Sequence, residues 1–302
     1  VTGNGGISLI TDANATTIAL NDGTGTFSLS TAELQFLAST GTVTIGTGSG
    51  SGAINIGSIG AISLASEGFN LSLIGASSNV VFNNGITLLN NGTMTFTIGS
   101  GTILSTGSQA RDITIAGSTG TILFTSSGAI GATGARLLTA VDRLGASTIS
   151  GDTFITNDTT IDINGAFAVT GNDFILEASG GNITQSAVIT ADGLKLVTSS
   201  SGTVTLASAN VVTTIAASVD GAFSFTDGTG GLTVGTVDGT TGIVTTDDNV
   251  TLAVGGNLLT VGAVITAGGG TVSLTSNTIA ITAAVTGNGG ISLITDANAT
   301  TI

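Results

Sequence analysis

Residues 250–285, VTLAVGGNLLTVGAVITAGGGTVSLTSNTIAITAAV, are built on one small unit, an apolar residue, a short polar residue and a second apolar residue. Val250-Thr251-Leu252 returns as Val272-Ser273-Leu274 and again as Ile291-Ser292-Leu293. Alternation with period two in β-branched residues marks strands with one buried face. The same unit recurs along the chain, for example at Ile7-Ser8-Leu9, Val43-Thr44-Ile45, Ile86-Thr87-Leu88, Ile161-Asp162-Ile163, Val204-Thr205-Leu206 and Phe223-Ser224-Phe225. Val43 to Ile62, Met94 to Ile113, Val204 to Phe223 and Val272 to Ile291 share a single spacing, and Ile7 to Phe27 is one longer. A quasi-period that holds about three short strands and three turns is what one coil of a parallel β-helix needs, whereas hairpins would repeat strand by strand.

The expected fold is therefore all-β, a right-handed parallel β-helix (β-solenoid) in one continuous rod, with coils of about 19–22 residues; the hand comes from the family resemblance given below. Stacked at ~4.8 Å per coil, roughly 13 to 15 coils would give a rod on the order of 65 to 70 Å long. Asn-Gly at Asn4, Asn84, Asn91, Asn164 and Asn288, and Asp-Gly at Asp22, Asp192, Asp220, Asp227 and Asp238, supply positive φ at low cost. The spacing makes them corners of coils in place of two-residue hairpins. Ala135–Leu144 (ARLLTAVDRL) breaks the pattern, with Leu137, Val141 and Leu144 at helical spacing. It predicts a short helix or irregular excursion packed on the rod. The alternative is one ill-matched coil with strands at Arg136–Leu138 and Thr148–Ile149.

VTGNGGISLITDANATTI occupies residues 1–18 and again, letter for letter, residues 285–302. Such a match is beyond compositional bias. The chain reads as a single solenoid segment over 1–302, one tandem repeat unit (1–284) followed by the start of the next (285–302). Val272 to Ile291 keeps the local spacing, so the duplication is expected to be a seamless joint.

Composition narrows function by exclusion. There is no Pro, Cys, His, Trp or Tyr, only four Lys and Arg, and a net charge of −14 on 7% charged residues. Nucleic-acid binding needs clustered cations that Arg111, Arg136, Arg143 and Lys195 cannot supply. Without His or Cys the usual nucleophile and base pairs cannot be assembled. No disulfide framework or thiolate metal site is available. No apolar run reaches the ~18 residues of a membrane helix, and the aromatic girdles of a transmembrane barrel need Trp and Tyr. Val1 begins no signal-like segment, so any targeting sequence is expected outside this stretch.

From Gly180 onward, GGNITQSAVITADGLKLVTSSSGTVTLASANVVTTIAASVDGAFSFTDGTGGLTVGTVDG and then residues 250–285 resemble the repeat regions of filamentous-haemagglutinin-like giant exoproteins and adhesins of Gram-negative bacteria. The resemblance covers residues 180–295 and extends to the first half only in style. It implies a right-handed parallel β-helix, export to the cell surface, and a role in adhesion or surface fibres. It brings no active site with it.

The remaining motifs weigh toward structure. Calcium is the one metal reading with candidates: Asp220, Asp227, Asp238, Asp247 and Asp248 concentrate in one stretch, and oxygen ligands at stacked corners suit a hard cation. Against it stands the reading of solvated turn acids, since neither an EF-hand loop nor a GGxGxDxUx repeat is present. No cofactor motif occurs: Gly46–Gly52 is Gly-rich, but no GK[ST] follows. Sequons at Asn14, Asn70, Asn91, Asn157, Asn182 and Asn249 are expected from composition alone. Thr-x-Thr pairs lack the uniform outward array that ice binding needs.

The expected function is a non-enzymatic structural protein forming an extracellular, cell-surface fibre from tandem β-solenoid repeats. Its partners would be further copies of the same repeat end to end, with lateral filament association or a surface ligand as additions. Neither nucleic acid nor membrane insertion is expected. The alternative is an adhesin stalk or binding module with a ligand site on a loop such as Ala135–Leu144 or in a further tip domain. A carbohydrate-active β-helix enzyme is a third reading.

Overall fold

The computed structural model describes residues 2–3, 5–11 and 15–295. The corner expected at Asn4, the sequon at Asn14 and the end of the second copy of the duplicated segment, 296–302, lie outside the described residues. The protein is all-β, and its principal strands pair in parallel. The chain divides into two compact units, Val1–Thr156 and Asn157–Ile302.

In the second unit each polar-centred triplet sits in register on the one a step later. Ile161 pairs with Ile183, Ile183 with Val204, Val204 with Phe223, Phe223 with Val250, Val250 with Val272, and Val272 with Ile291. From Ile161 to Val272 these residues are 0–1% exposed, so a continuous apolar column runs through the unit. A second column runs beside it through Leu206, Phe225, Leu252 and Leu274. Period two explains both, because alternate residues of a strand face the same side. On another stretch of each step, Phe174, Leu194 and Ile215 align, and Ile215 continues to Val234 and Val261. Ala217, Ile243, Ile265 and Val285 form a further column. Phe167 and Phe174 stack with ring centroids 4.6 Å apart.

The first unit uses the same principle with mostly longer steps. Ile7 pairs with Val43, Val43 with Leu71, Leu71 with Met94, Met94 with Ile122, and Ile122 with Leu144. Ile18, Ile54, Val80 and Ile103 make a second column; Ile62, Ile86 and Ile113 make a third. Phe82, Phe96 and Phe124 meet where columns adjoin, with centroids 6.2 and 5.4 Å apart.

The uniform short step expected from the sequence holds for most of the second unit and fails in the first. Val43 pairs with Leu71, well past Ile62, and Ile62 belongs to the column of Ile86. Ile7 pairs with Val43, while Phe27 pairs with the nearby Ile18. In the second unit the step from Phe223 to Val250 is stretched because an antiparallel hairpin, Thr236–Val237 with Thr240–Thr241, is inserted. Asp238 and Gly239, with φ of 43° and 76°, form its turn, so here an Asp-Gly pair does make a hairpin.

The short helix or irregular excursion expected at Ala135–Leu144 is replaced by strands Leu137–Ala140 and Arg143–Leu144. Thr139 and Ala140 pair with Ile113 and Thr114, and Arg143 and Leu144 with Thr121 and Ile122. The competing expectation, strands at Arg136–Leu138 and Thr148–Ile149, is nearer: the first strand is shifted to Leu137–Ala140 and the second forms Ser147–Ile149. The helix that does form among the described residues is Thr31–Gln35, where Ser30 caps the Glu33 N–H and Glu33 reaches back to the Ser30 N–H at 2.8 Å. That reciprocal hydrogen bond holds the Glu33 carboxyl below its usual range.

Candidate functional site

The Asp cluster of the sequence is dispersed by the fold. Asp220 accepts the Ser201 N–H at 2.5 Å, and Asp247 accepts the Gly269 N–H at 2.8 Å. The Asp248 carbonyl accepts the Thr245 hydroxyl at 2.5 Å, and Asp248 itself is exposed. Asp238 is engaged by Lys195, whose Nζ donates to the Asp238 carbonyl at 2.9 Å and to Oδ2 at 3.1 Å. Lys195 is itself 8% exposed, so the one lysine of the chain is a clamp that holds the hairpin turn to the sheet. Asp227 points inward and is fully buried. Among the described residues no three acidic side chains gather into a group able to hold a metal ion.

Two buried carboxylates were not singled out for their environments by sequence. Asp112 is buried, which pushes its carboxyl up to about 6. Against burial act the Leu138 N–H at 2.7 Å, the Ser105 hydroxyl at 3.1 Å and the Gln109 amide, all donating to the carboxylate. Asp227 is also pushed up to about 6 by burial, opposed only by the Val212 N–H at 3.1 Å. Its Oδ2 is buried without a partner. Beside it lies Asn210, which is fully buried and accepts the Ile189 N–H at 2.9 Å and the Gln185 amide at 2.7 Å. Asn210 in turn donates to the Thr226 carbonyl at 2.9 Å. Gln185, Asn210 and Asp227 thus form an internal polar stack between apolar columns.

Perturbed, buried carboxylates often accompany active sites, but these two face packed interior. One surface groove runs past Thr198, Ser218, Asp220 and Val244, and another past Leu37, Ser39 and Glu67; each holds a single carboxylate. A glycosidase needs two carboxyls facing each other across an open cleft, and neither groove supplies the second. No helix among the described residues is long and apolar enough to cross a membrane.

What recurs is a corner staple. Asn70 accepts the Thr93 N–H at 2.8 Å, Asn79 the Thr102 N–H at 3.0 Å, Asn182 the Thr203 N–H at 2.8 Å, and Asn249 the Thr271 N–H at 2.8 Å. Each Asn immediately precedes an inward apolar residue, and each Thr immediately precedes the apolar residue paired with it one step later. The staple is the same throughout, an amide oxygen satisfying a backbone N–H where the ladder gives way to a corner. Asn70, Asn182 and Asn249 are sequon residues by composition and structural by geometry. Asn91 plays a related part with φ of 61°, accepting the Ser118 and Thr119 N–H groups at 2.7 and 3.0 Å. The signal in the sequence was an Asn-apolar pair answered one step later by a Thr-apolar pair.

The chain matches no family model, no curated protein and no solved structure. The resemblance of residues 180–295 to filamentous-haemagglutinin-like exoproteins accordingly rests on the wording of those residues.

Proposed function

We propose that the protein is a non-enzymatic structural element of an extracellular fibre, folded as a right-handed parallel β-helix whose coils stack along the fibre axis. The observation that carries this reading is the set of in-register parallel columns in each unit, such as Ile161 to Ile291 and Ile7 to Leu144. In these columns a strand pairs with the one a step earlier and the one a step later. That is how a coil stacks on its neighbours. A closed parallel barrel is the other way to arrange parallel strands, but its connections are crossovers that usually carry helices. Here the chain between Val272 and Ile291 runs through strand residues, Ile279 and Val285, that themselves pair one step back. Right-handedness follows from the strong preference of parallel crossovers for that hand.

The mechanism of such a protein is mechanical. Each coil buries its columns only against neighbouring coils, so stability and length grow together. The dispersed acids, buried stacks and stapled corners are what a load-bearing stack needs, and none composes a cleft. The cell-surface setting follows the resemblance of residues 180–295. The fibre is favoured over the adhesin stalk in that Leu137–Ala140 and Arg143–Leu144, within the loop considered for a ligand site, are strands. Electron microscopy of the native source with fibre diffraction tests the proposal. Filaments with an axial reflection near ~4.8 Å are expected; globular particles without it would overturn the reading.

A further inference from the structure

Strand Ile189–Thr198 has an inner and an outer side, and where Lys195 stands the outer side is covered as well. Leu194 faces the interior column it shares with Phe174 and Ile215, so by period two Lys195 points outward together with its register partners Ile175 and Ala216. Ile175 and Ala216 are nevertheless 0% exposed, and Lys195 is 8% exposed. The hairpin Thr236–Thr241 lies against the neighbouring strand Val204–Val219 and brings Val237, itself buried, over this outer row. Gly193 leaves the room for it: a Cβ there would lie 3.0 Å from a Val237 methyl carbon and would collide with the Asp173 carboxylate.

Into this enclosure the chain places its one lysine and a carboxyl. Lys195 Nζ donates to Asp238 Oδ2 at 3.1 Å and to the Asp238 carbonyl at 2.9 Å, so the amine is held at two points. The two side chains are 10% and 13% exposed. Asp238 Cγ is one bond from Oδ2, which puts it close to the ~3 to 3.5 Å at which reacting atoms stand before attack. Such fixed proximity raises the effective concentration of a nucleophile by many orders of magnitude, and a site that excludes water favours a reaction that releases it. Asp173, the register partner of Gly193, supplies a further carboxylate on the same outer face.

We propose that Lys195 and Asp238 condense to an intramolecular amide, an isopeptide bond that ties the hairpin turn to the sheet, with the observed ion pair as its reactant state. The Nζ–Cγ bond forms and the Cγ–Oδ2 bond breaks. Two ammonium protons leave with Oδ2 as one water, the first along the 3.1 Å hydrogen bond and the second through the Asp173 carboxylate. An ammonium and a carboxylate become an amide and water, so charge, atoms and electrons balance and no co-reactant enters. The bond links positions 43 apart in sequence, in a chain that has no cysteine for a disulfide. The proposal goes beyond the fibre reading and does not depend on it.

Lys195 is the one lysine, so trypsin reads the bond directly. The full chain is incubated at neutral pH, denatured, and divided between an intact-mass measurement and trypsin, which cuts after Lys195 only where the amine is free. A chain lighter by one water is expected, with residues 144–302 recovered as a single fragment after the cut at Arg143. Asp238→Ala should restore the full mass and the cut at Lys195. Asp173→Asn, in a chain whose hairpin amides keep their protection from exchange, should slow the appearance of the uncut fragment roughly a hundredfold. A parent chain at full mass and cut at Lys195 overturns the proposal. So does a water loss with Lys195 still cut, which is the cyclic imide of an Asp-Gly pair such as Asp238-Gly239. An Asp173→Asn chain that cross-links at the parental rate overturns the proton relay assigned to Asp173. None of these outcomes bears on the filaments, which microscopy and diffraction decide.

Discussion

Asp112 and Asp227 are both buried and both pushed up to about 6, but different numbers of donors face them. Asp112 receives the Leu138 N–H, the Ser105 hydroxyl and the Gln109 amide, so its two oxygens are both engaged as acceptors. Asp227 receives only the Val212 N–H and keeps Oδ2 unpartnered. Replacing Asp112 with Asn turns one acceptor into a donor that faces donors, and a loss of about 1 to 3 kcal/mol is expected at pH 7. Replacing Asp227 with Asn keeps the acceptor for Val212 and removes a buried charge, so a gain on the order of 1 kcal/mol is expected at pH 7. The pH dependence follows from the sign of the shift. A folded-state value of about 6 against an ordinary 3.8 means that the folded protein holds the proton more tightly. The stability from this group is full below about pH 4 and is lost as pH rises through about 6. Urea denaturation at pH 4.5 and 7.5 should show Asp227→Asn losing less stability over that interval than the parent chain; an equal loss in both would exclude Asp227 as a contributor. Asp227 was legible in principle. Phe223, Phe225 and Asp227 share one face by period two, but the Asp-Gly dipeptide drew it toward a solvated turn, since that signal reports backbone freedom and carries no information on side-chain direction.

At the scale of elements, corners carry more of the specification than strands do. Asn91 combines a left-handed backbone with two accepted N–H bonds, so Ala would add strain to the loss of both. Asn91→Ala is expected to cost about 2 kcal/mol, and Asn91→Asp, which keeps the acceptor and tolerates the same φ, less than half of that, measured by thermal or urea melts. The hairpin Thr236–Thr241 offers a second test. Lys195→Met keeps the packed stem and removes both bonds to Asp238, so amide exchange at residues 236–241 should accelerate by roughly tenfold, about 1.4 kcal/mol, while the Val250 and Val272 strands keep their protection. Uniform acceleration across the unit would mean that Lys195 supports the sheet and not the hairpin. The capping box Ser30-Thr31-Ala32-Glu33 is legible as a helix start, but a helix as short as Thr31–Gln35 has no repeating apolar stripe to set it apart from the strand signals around it. At Ala135–Leu144 the opposite happened, because local spacing suggested a helix while the backbone groups of Thr139 and Leu144 found ready ladders at Ile113 and Ile122. Pairing with an existing sheet edge outweighs a local helical pattern of so short a stretch.

Across the whole molecule, parallel stacking was legible wherever the step was short and uniform, as from Val204 to Phe223 and from Val272 to Ile291. It was misread where look-alike triplets belong to different columns: Val43 and Ile62 repeat at that same short spacing, yet they pair with Leu71 and Ile86 respectively. An apolar-polar-apolar unit says that a strand has a buried face without saying which column it joins, and only the register resolves that. The charge of the chain then bears on how copies meet. With a net charge of −14 and four cations, one copy repels another over a distance set by screening, roughly 10 Å at 0.1 M salt and 3 Å at 1 M. Apolar columns and backbone ladders of the kind that sets Ile291 on Val272 are by contrast insensitive to salt. Self-association followed by sedimentation should therefore strengthen as NaCl rises from about 0.05 to 0.5 M, where the screening length falls by a factor of about three. The increase should be abolished by Ile291→Asp, which places a charge in the column beside the fully buried Val272. Association that weakens with salt would mean that ion pairs hold the copies together, and an Ile291→Asp chain that associates as well as its parent would place the contact away from the duplicated strand.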